Sequence, residues 1–100
     1  MLLFEFRNED TLSLHLVLGP GPEHIRRRLF DYAKGQKEVF NSTARNLPAK
    51  WGSLYRKQIL TAQDYEEPNF EVMKEKVRQA VSQFAIDDLE SLVQNVQDAL

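Results

Sequence analysis

The sequence predicts a single α+β domain, residues 1–100, with the element order β-β-α-β-α-α. Apolar and polar residues alternate through most of the first eighteen positions, whereas apolar residues recur every three or four positions over residues 70–100. Alternation is typical of strands and the longer spacing of helices. We therefore expect a β-β-α-β unit over residues 1–62 and helices over 63–100, packed on one face of a small antiparallel sheet.

The first two strands are predicted to form a β-hairpin around the polar turn Asn8-Glu9-Asp10. The even-numbered apolar residues on its two sides are Leu2, Phe4, Phe6, Leu12, Leu14, Leu16 and Leu18. Proline and glycine at residues 19–22 end the second strand, and Pro22 suits the first position of a helix.

An amphipathic helix is predicted next, ending near Gly35. Its apolar stripe is Ile25, Leu29, Tyr32 and Ala33, with Arg27 on the opposite side and Arg26 and Arg28 flanking the stripe. Residues 36–49 lose the periodicity, which indicates a short helical turn plus a loop. The apolar anchors of that segment are Val39, Phe40 and Leu47.

The segment Trp51 to Leu60 is predicted to be the third strand because it is rich in aromatic and branched residues. Leu54 and Leu60 have one parity and Tyr55 and Ile59 the other, so we expect a strand partly buried on both faces. Residues 63–67 are predicted to form a linker or a single turn.

Two C-terminal helices are predicted from two apolar stripes that differ in phase. The first stripe, after a cap at Asn69, is Phe70, Met73, Val77, Ala80 and Phe84, and the second is Leu89, Leu92, Val93, Val96 and Leu100. Continuing the first phase would bring Asp88 into the core. Because Asp87 and Glu90 resemble a capping box, we expect a break near Ile86 to Asp88 and a separate last helix.

Several function classes are disfavoured by composition. The absence of cysteine excludes disulfides, thiolate zinc sites and a cysteine nucleophile, and it fits a reducing compartment, so a cytoplasmic location is expected. No signal-peptide pattern or membrane-length apolar run is present. His15 and His24 are the only histidines and lack ligand spacing, so we expect no metal. No serine or threonine stands in the strand-turn-helix signature of a nucleophile, so we expect no catalytic site, and no cofactor is expected.

Charge is unevenly distributed, with +6 over residues 21–62 and −6 over residues 63–100. Cations lie near aromatic residues Trp51 and Tyr55, as in nucleic-acid-binding proteins. The candidate nucleic-acid-binding residues are Arg26, Arg27, Arg28, Lys50, Arg56 and Lys57. The alternative is that these cations form a solvated face or pair with the acidic end, while the aromatic rings pack in the core.

The last helix is a second candidate for binding, because a three-stranded sheet offers limited area to cover two C-terminal helices. The candidate interaction residues are Leu92, Val93, Val96 and Leu100. The predicted partner is another protein or a second copy of the chain, forming a homodimer.

Three runs of the chain, residues 14–21, 25–30 and 50–65, carry a family resemblance. The quoted motifs are Leu14-His15-Leu16-Val17-Leu18-Gly19-Pro20-Gly21, Ile25-Arg26, Leu29-Phe30, Lys50-Trp51-Gly52-Ser53-Leu54-Tyr55-Arg56-Lys57, Ile59-Leu60 and Asp64-Tyr65. In order and spacing they resemble the C-terminal portion of a bacterial PD-(D/E)XK nuclease-like family.

The resemblance implies that the catalytic acid and the (D/E)-x-K strand lie upstream of the region seen here. Glu5-Phe6-Arg7 only echoes that motif, since the lysine is replaced. No catalytic residue carries over to this sequence. The implied role is therefore a non-catalytic accessory or DNA-contacting domain, with the nuclease core of a longer parent protein as a further candidate partner, and the competing hypothesis is the interaction module.

Overall fold

The computed structural model describes residues 1–100 and has the predicted α+β architecture. The strands are β1 (Leu2–Asn8), β2 (Leu12–Leu18) and β3 (Gly52–Leu60). The helices are α1 (Glu23–Gly35), α2 (Ala62–Glu66), α3 (Phe70–Gln83) and α4 (Leu89–Ala99), and a π-helical segment, Phe84–Asp88, joins α3 to α4. The short helix α2 lies where a linker or a single turn is predicted.

The three strands form one antiparallel sheet in the order β1-β2-β3. The hairpin prediction is confirmed, with a register that runs from Leu2 opposite Leu18 to Asn8 opposite Leu12. We call the side of the sheet that carries Leu14, Leu16 and Leu18 the covered face, because α1, the π-helical segment and α4 pack on it. The other side is the open face, on which Glu5, His15 and Arg56 lie opposite one another.

Strand β3 departs from the prediction that it is partly buried on both faces. Its pairing with β2 shifts register twice, so that Leu54 and Ile59 are left without a directly opposite partner. An extra residue at a bulge reverses the parity of the strand. Leu54 and Tyr55 therefore both belong to the core on the covered face, and the open side of β3 carries the exposed residues Arg56 and Gln58.

The hydrophobic core lies between the covered face and the helices. It combines side chains of β2 and α1 with Phe84 of the π-helical segment and Leu92 and Ala99 of α4. The segment after α1 forms the predicted single helical turn, in which Val39 and Phe40 donate backbone hydrogen bonds to Gln36, and Phe40 is buried in the core. Only 18 of 100 residues are buried, so a large apolar surface stays outside this core.

Helices α2 and α3 begin at capped residues. Thr61 and Asp64 form a capping box at α2, and the Asn69 side chain accepts a hydrogen bond from the backbone of Val72 at 3.2 Å, as predicted. Lys76 Nζ donates to Asp64 Oδ1 at 2.6 Å, which ties α3 to α2, and this contact is the first cause of a lowered pKa at Asp64. No residue of α3 is fully buried.

The predicted capping box at the start of the last helix is wrong. No side chain caps α4, and Asp87 instead accepts a hydrogen bond from the side chain of Gln83. The backbone N–H of Leu89 donates to the carbonyl of Phe84, five residues earlier. This wider turn absorbs the predicted phase slip, so the chain continues as a helix where a break is expected.

Candidate functional site

Arg26 is a structural residue in the interior and is not part of a binding surface, which corrects the sequence-based assignment. It is 4% exposed, its Nε donates to Gly19 O at 2.9 Å, and its Nη2 donates to Pro48 O at 2.9 Å and to Lys50 O at 3.0 Å. The buried positions of α1 are Arg26, Leu29, Phe30 and Ala33. Their i, i+3, i+4, i+7 spacing is the sequence signal that could have identified this arginine as inward-facing.

The remaining predicted cations do not form one continuous patch. Arg27 is exposed and lies 3.5 Å from Glu23, and Arg28 donates to the carbonyl of Leu100 at 3.4 Å. Lys50 is exposed in the loop before β3.

Arg56 and Lys57 are neighbours in sequence but lie on opposite faces of β3. The side chain of Arg56 is on the open face, although this residue also lines the polar groove that Lys57 shares with Glu38, Asp87 and Asp88. The acidic groove partly compensates the charge of Lys57, which leaves Arg56 as the cation of β3 that is available to an anion.

Trp51 packs against the backbone of the turn after β2. A Cβ atom added at Gly19 would lie 2.6 Å from the Trp51 ring, so the ring can approach only because this residue is glycine. The ring is half exposed on its other side. Tyr55, the second predicted aromatic residue, is buried in the core, as the alternative interpretation expected.

The open face contains a buried hydrogen-bond chain through His15. Ser13 Oγ lies 2.9 Å from His15 Nε2, His15 Nδ1 lies 2.5 Å from Ser53 Oγ, and Ser53 Oγ donates to Tyr55 O at 3.3 Å. Because the Ser53 hydroxyl proton is used toward Tyr55, we assign the His15 proton to Nδ1 and the role of acceptor to Nε2.

This histidine is held in its neutral form. Burial lowers the pKa of His15, and the guanidinium groups of Arg7 and Arg56 lower it further, against a smaller opposing effect of Glu5. The distance between Ser13 Oγ and His15 Nε2 is one that a catalytic nucleophile and its general base would also show. However, Ser13 is buried, and the group on the other side of the imidazole is the Ser53 hydroxyl, where a catalytic triad would have a carboxylate. The role that these three hydrogen-bonded side chains support is to satisfy one another's buried polar atoms.

A polar groove of about 210 Å³ opens beside this histidine. It contains no hydrophobic side chain. The lining residues are Arg7, Glu9, Thr11, Ser13, His15 and Arg56. Arg7 is paired with Glu5 at 3.1 Å and Glu9 also lines the groove, so Arg56 is the guanidinium group here without an acidic partner and the one best able to hold an anion.

The second candidate surface is apolar and lies where β1 meets α4. A groove of about 190 Å³ between the two elements has seven hydrophobic residues among its eight lining residues, Leu2, Leu3, Phe4, Leu16, Leu92, Val93, Val96 and Gln97. Phe6 is not part of the groove lining, but it is the next exposed apolar residue after Phe4 on the same face of β1. We call Leu2, Phe4, Phe6, Val93 and Val96 the β1–α4 surface.

The four predicted interaction residues occupy three different environments. Leu92 is 2% exposed and belongs to the core, so it is not available to a partner, which corrects that assignment. Val93 is 45% exposed and Val96 is half-buried, and both line the apolar groove. Leu100 is exposed beside Arg28, next to α1.

The aromatic residues of β1 are the members of this surface that the sequence did not single out. Phe4 is 42% exposed and Phe6 is 56% exposed, although both lie on the covered face. Phe4 makes an edge contact with Phe84, with ring centroids 5.5 Å apart, and the helices leave Phe6 open to solvent. Their position on an edge strand explains the exposure, and a strand's place in the sheet cannot be read from alternation alone.

A further group of exposed apolar residues lies on α3 and the π-helical segment. It consists of Phe70, Val72, Val81 and Ile86, of which Phe70 is 80% exposed. Phe70 stands at the start of α3 and is not among the residues that line the groove between β1 and α4. It therefore offers a matched position for substitutions that should not affect the β1–α4 surface.

Comparison with known protein families, curated proteins and solved structures finds no match to this chain. No cluster of three or more histidine, cysteine, aspartate or glutamate side chains has the geometry to hold a metal ion. None of the helices combines the length and the apolar character that crossing a membrane requires. The resemblance to the nuclease-like family thus stays a prediction, and the polar groove of the open face and the β1–α4 surface are the two candidate sites of this protein.

Proposed function

We propose that this protein is a non-catalytic interaction module that forms a homodimer through the β1–α4 surface. The observation that supports the proposal is the exposed pair Phe4 and Phe6 on an edge strand, continuous with the apolar groove that reaches Val93. Contiguous exposed apolar surface of this kind marks interaction sites in small proteins. The small core of the chain makes such a contact a substantial addition to its buried apolar area.

A second copy is the partner that best fits an unpaired strand edge. Strand β1 pairs only with β2, so its outer edge is free to accept another strand. An edge that pairs with its own copy about a two-fold axis leaves no free edge at the contact, and the assembly closes at two subunits. A heterologous contact would leave further edges open to continued association.

Sedimentation velocity over a series from micromolar to millimolar protein tests the proposal. We expect the wild-type chain to change from monomer to dimer, and Phe6→Glu and Val93→Asp to remain monomeric with unchanged circular dichroism and thermal midpoint. The matched control Phe70→Glu should dimerise like the wild type, because this exposed residue lies outside the β1–α4 surface. A wild-type chain that stays monomeric throughout would overturn the proposal and would leave the nuclease core of a longer parent protein as the occupant to examine.

A second candidate function, nucleic-acid contact, is favoured by the open face. Arg7 and Arg56 both line the polar groove beside His15, which brings two guanidinium groups to one part of the open face. Phosphate oxygens are suitable acceptors for such a pair, and the half-exposed ring of Trp51 offers a surface for stacking. This arrangement supports the accessory role that the family resemblance implies, through a different set of cations from the buried Arg26.

Binding of labelled single- and double-stranded DNA across a salt series tests this second candidate. Arg7→Gln and Arg56→Gln should each weaken binding and reduce its salt dependence, since each removes one phosphate contact. The control Arg27→Gln, on the outer side of α1, should bind more nearly like the wild type. Equal losses in all three variants would indicate non-specific attraction and would contradict a site on the open face.

A further inference from the structure

The outer edge of β1 has a defined set of free backbone groups. The N–H of Gly19 donates to Met1 O at 2.7 Å, which makes these two residues a hydrogen-bonded pair at the end of the register between β1 and β2. Hydrogen-bonded pairs alternate along an antiparallel ladder. Every second residue of β1 therefore directs its N–H and C=O away from β2. These residues are Leu2, Phe4, Phe6 and Asn8.

The side chains of β1 do not protect this edge against pairing. Edge strands of monomeric proteins are commonly blunted by proline, bulges or inward-pointing charges. Strand β1 contains no proline, its register with β2 is regular, and its residues on the covered face are Leu2, Phe4, Phe6 and Asn8. Its two charged residues, Glu5 and Arg7, lie on the open face and are of opposite sign, so they do not by themselves exclude a second strand of the same sequence.

Charge decides which register two copies of β1 would adopt. Glu5 and Arg7 lie two residues apart on the open face and are 3.1 Å from each other, and both are substantially exposed. In an antiparallel pair centred on Phe6, Glu5 of each copy lies opposite Arg7 of the other, which forms two reciprocal ion pairs. The same register places the two Phe6 rings opposite each other on the covered face.

The neighbouring symmetric registers lack this complementarity. Centring the pair on Glu5 would place the two Glu5 carboxylates directly opposite each other, which is destabilising between strands. Centring it on Phe4 would place Glu5 opposite Leu3 and would leave Arg7 opposite Met1. Shifts by an odd number of residues are excluded, because they would bring side chains of the covered face against side chains of the open face.

We infer that the second copy joins as an antiparallel strand pair, β1 with β1, about a two-fold axis at Phe6, to give a continuous six-stranded sheet. The inference rests on the proposed self-association and adds its partner surface and register. Backbone hydrogen bonds from Phe4, Phe6 and Asn8 hold the pair, and the exchanged contacts between Glu5 and Arg7 select the register.

Charge exchange between two variants tests the register. Glu5→Lys alone and Arg7→Glu alone each place like charges opposite each other, so each variant should dimerise at least about tenfold more weakly than the wild type. An equimolar mixture of the two variants should recover dimerisation, because every opposing pair in the mixed dimer is then of opposite charge. Each substitution also removes the ion pair between Glu5 and Arg7 within one chain. This exposed pair contributes little to the stability of the monomer, and thermal unfolding of each variant as a monomer provides the control.

Disulfide cross-linking gives an independent measurement, because the chain has no cysteine of its own. The Cα atoms of a hydrogen-bonded pair are about 5.5 Å apart, within the range that a disulfide spans, so Phe6→Cys should form a covalent dimer under mild oxidation. The control Phe4→Cys should not, because this residue would lie about 13 Å or more from its counterpart.

The outcomes separate the register from the proposed function. A dimer that recovers in the mixture and cross-links at position 6 supports the inference. A dimer in which the mixture shows no recovery, or in which position 4 cross-links and position 6 does not, overturns the register while self-association stands. A wild-type chain that remains monomeric overturns both.

Discussion

The hydroxyl of Tyr55 in β3 donates a hydrogen bond of 2.5 Å to Asp88 Oδ2 at the end of the π-helical segment. Burial raises the pKa of Tyr55, and the hydrogen bond and the negative charge of Asp88 raise it further, so the phenol stays protonated as the donor. Asp88 occupies the inward position that the phase of α3 predicts. An acidic residue is tolerated there because a buried tyrosine meets it.

Removing the donor should destabilise the fold without changing its shape. Tyr55→Phe keeps the ring in the core and deletes one hydrogen bond to a charged acceptor, so we expect a loss of about 1 to 2 kcal/mol in the free energy of unfolding. Asp88→Asn keeps an acceptor and should cost less. Urea denaturation measures both, and additive effects in the double variant would contradict a direct coupling between the two side chains.

The π-helical segment should be removable by deleting one residue. Deletion of the exposed Ala85 places Leu89 one position earlier, so that an ordinary α-helix would align Leu89 and Leu92 with Phe84. We expect circular dichroism to show a helix content at least as high as that of the wild type and a stability loss of about 1 kcal/mol, from the lost bond between Tyr55 and Asp88.

Insertion of one alanine after Ala85 is the matched opposite of this deletion. It rotates α4 by a further step and withdraws Leu92 from the core, where it is almost fully buried. A loss of about 2 to 5 kcal/mol is expected, as for removal of a buried leucine side chain. Equal losses in the free energy of unfolding for the insertion and the deletion would contradict the view that the π-helical segment serves to bring the apolar side of α4 into register with that of α3.

Stability should fall as the pH drops below the usual pKa of histidine because of His15. Its pKa is lowered from 6.5 by burial and by the cations Arg7 and Arg56. Below about pH 6.5 the unfolded chain takes up a proton that the folded chain does not, so acid favours unfolding until the pH passes below the folded-state pKa. The effect is absent above pH 6.5, where both states hold neutral imidazole.

Denaturation midpoints measured above and below pH 6.5 check this expectation. His15→Gln should reduce the decrease in stability over that range, while carboxylate titration at lower pH continues in both proteins. An unchanged pH dependence in His15→Gln would show that the imidazole is protonated equally in the folded and unfolded states.

Arg26 and Arg27 should differ sharply although they are neighbours on α1. Arg26→Leu leaves three carbonyl groups without their donor and should cost at least about 3 kcal/mol. Arg27 is exposed and makes only a weak ion pair with Glu23, so Arg27→Leu should change the free energy of unfolding by less than about 0.5 kcal/mol. Arg26→Lys, which retains charge but offers a single nitrogen, gives a milder variant if the leucine variant does not fold. Similar losses at positions 26 and 27 would contradict the assignment of Arg26 to the interior.

The parts of the fold that could be predicted are those in which apolar residues recur at a regular spacing, because that spacing indicates which side chains are buried. The hairpin, α1 and the two C-terminal helices follow from alternation or from helical spacing. The bulges of β3 and the π-helical segment could not be predicted in this way, because each inserts one residue and changes which side chains share a face. At Leu54 the change reverses strand parity, and at Leu89 it rotates a helix.

The candidate surfaces were only partly accessible from the sequence, for a different reason. Val93 was identified because it lies on an apolar stripe wider than the core requires. Phe6 was not, since its exposure depends on β1 having no neighbour on its outer side. The charge of Arg26 predicts a surface position, although its spacing with Leu29, Phe30 and Ala33 indicates an inward one, and the three carbonyl groups that accept its hydrogen bonds explain why its burial is tolerated.

The Arg26 guanidinium also joins the two ends of the connection between β2 and β3, at Gly19 and at Lys50. The hairpin and the C-terminal helices involve neighbours along the chain, and such units form within microseconds. Strand β3 meets β2 only after residues 19–51 close into a loop, which carries an entropic cost, so we expect this pairing to be the slow step of folding. Because the bonds of Arg26 require both ends of that loop in place, they retain β3 once it has docked, and their loss should accelerate unfolding more than it slows folding.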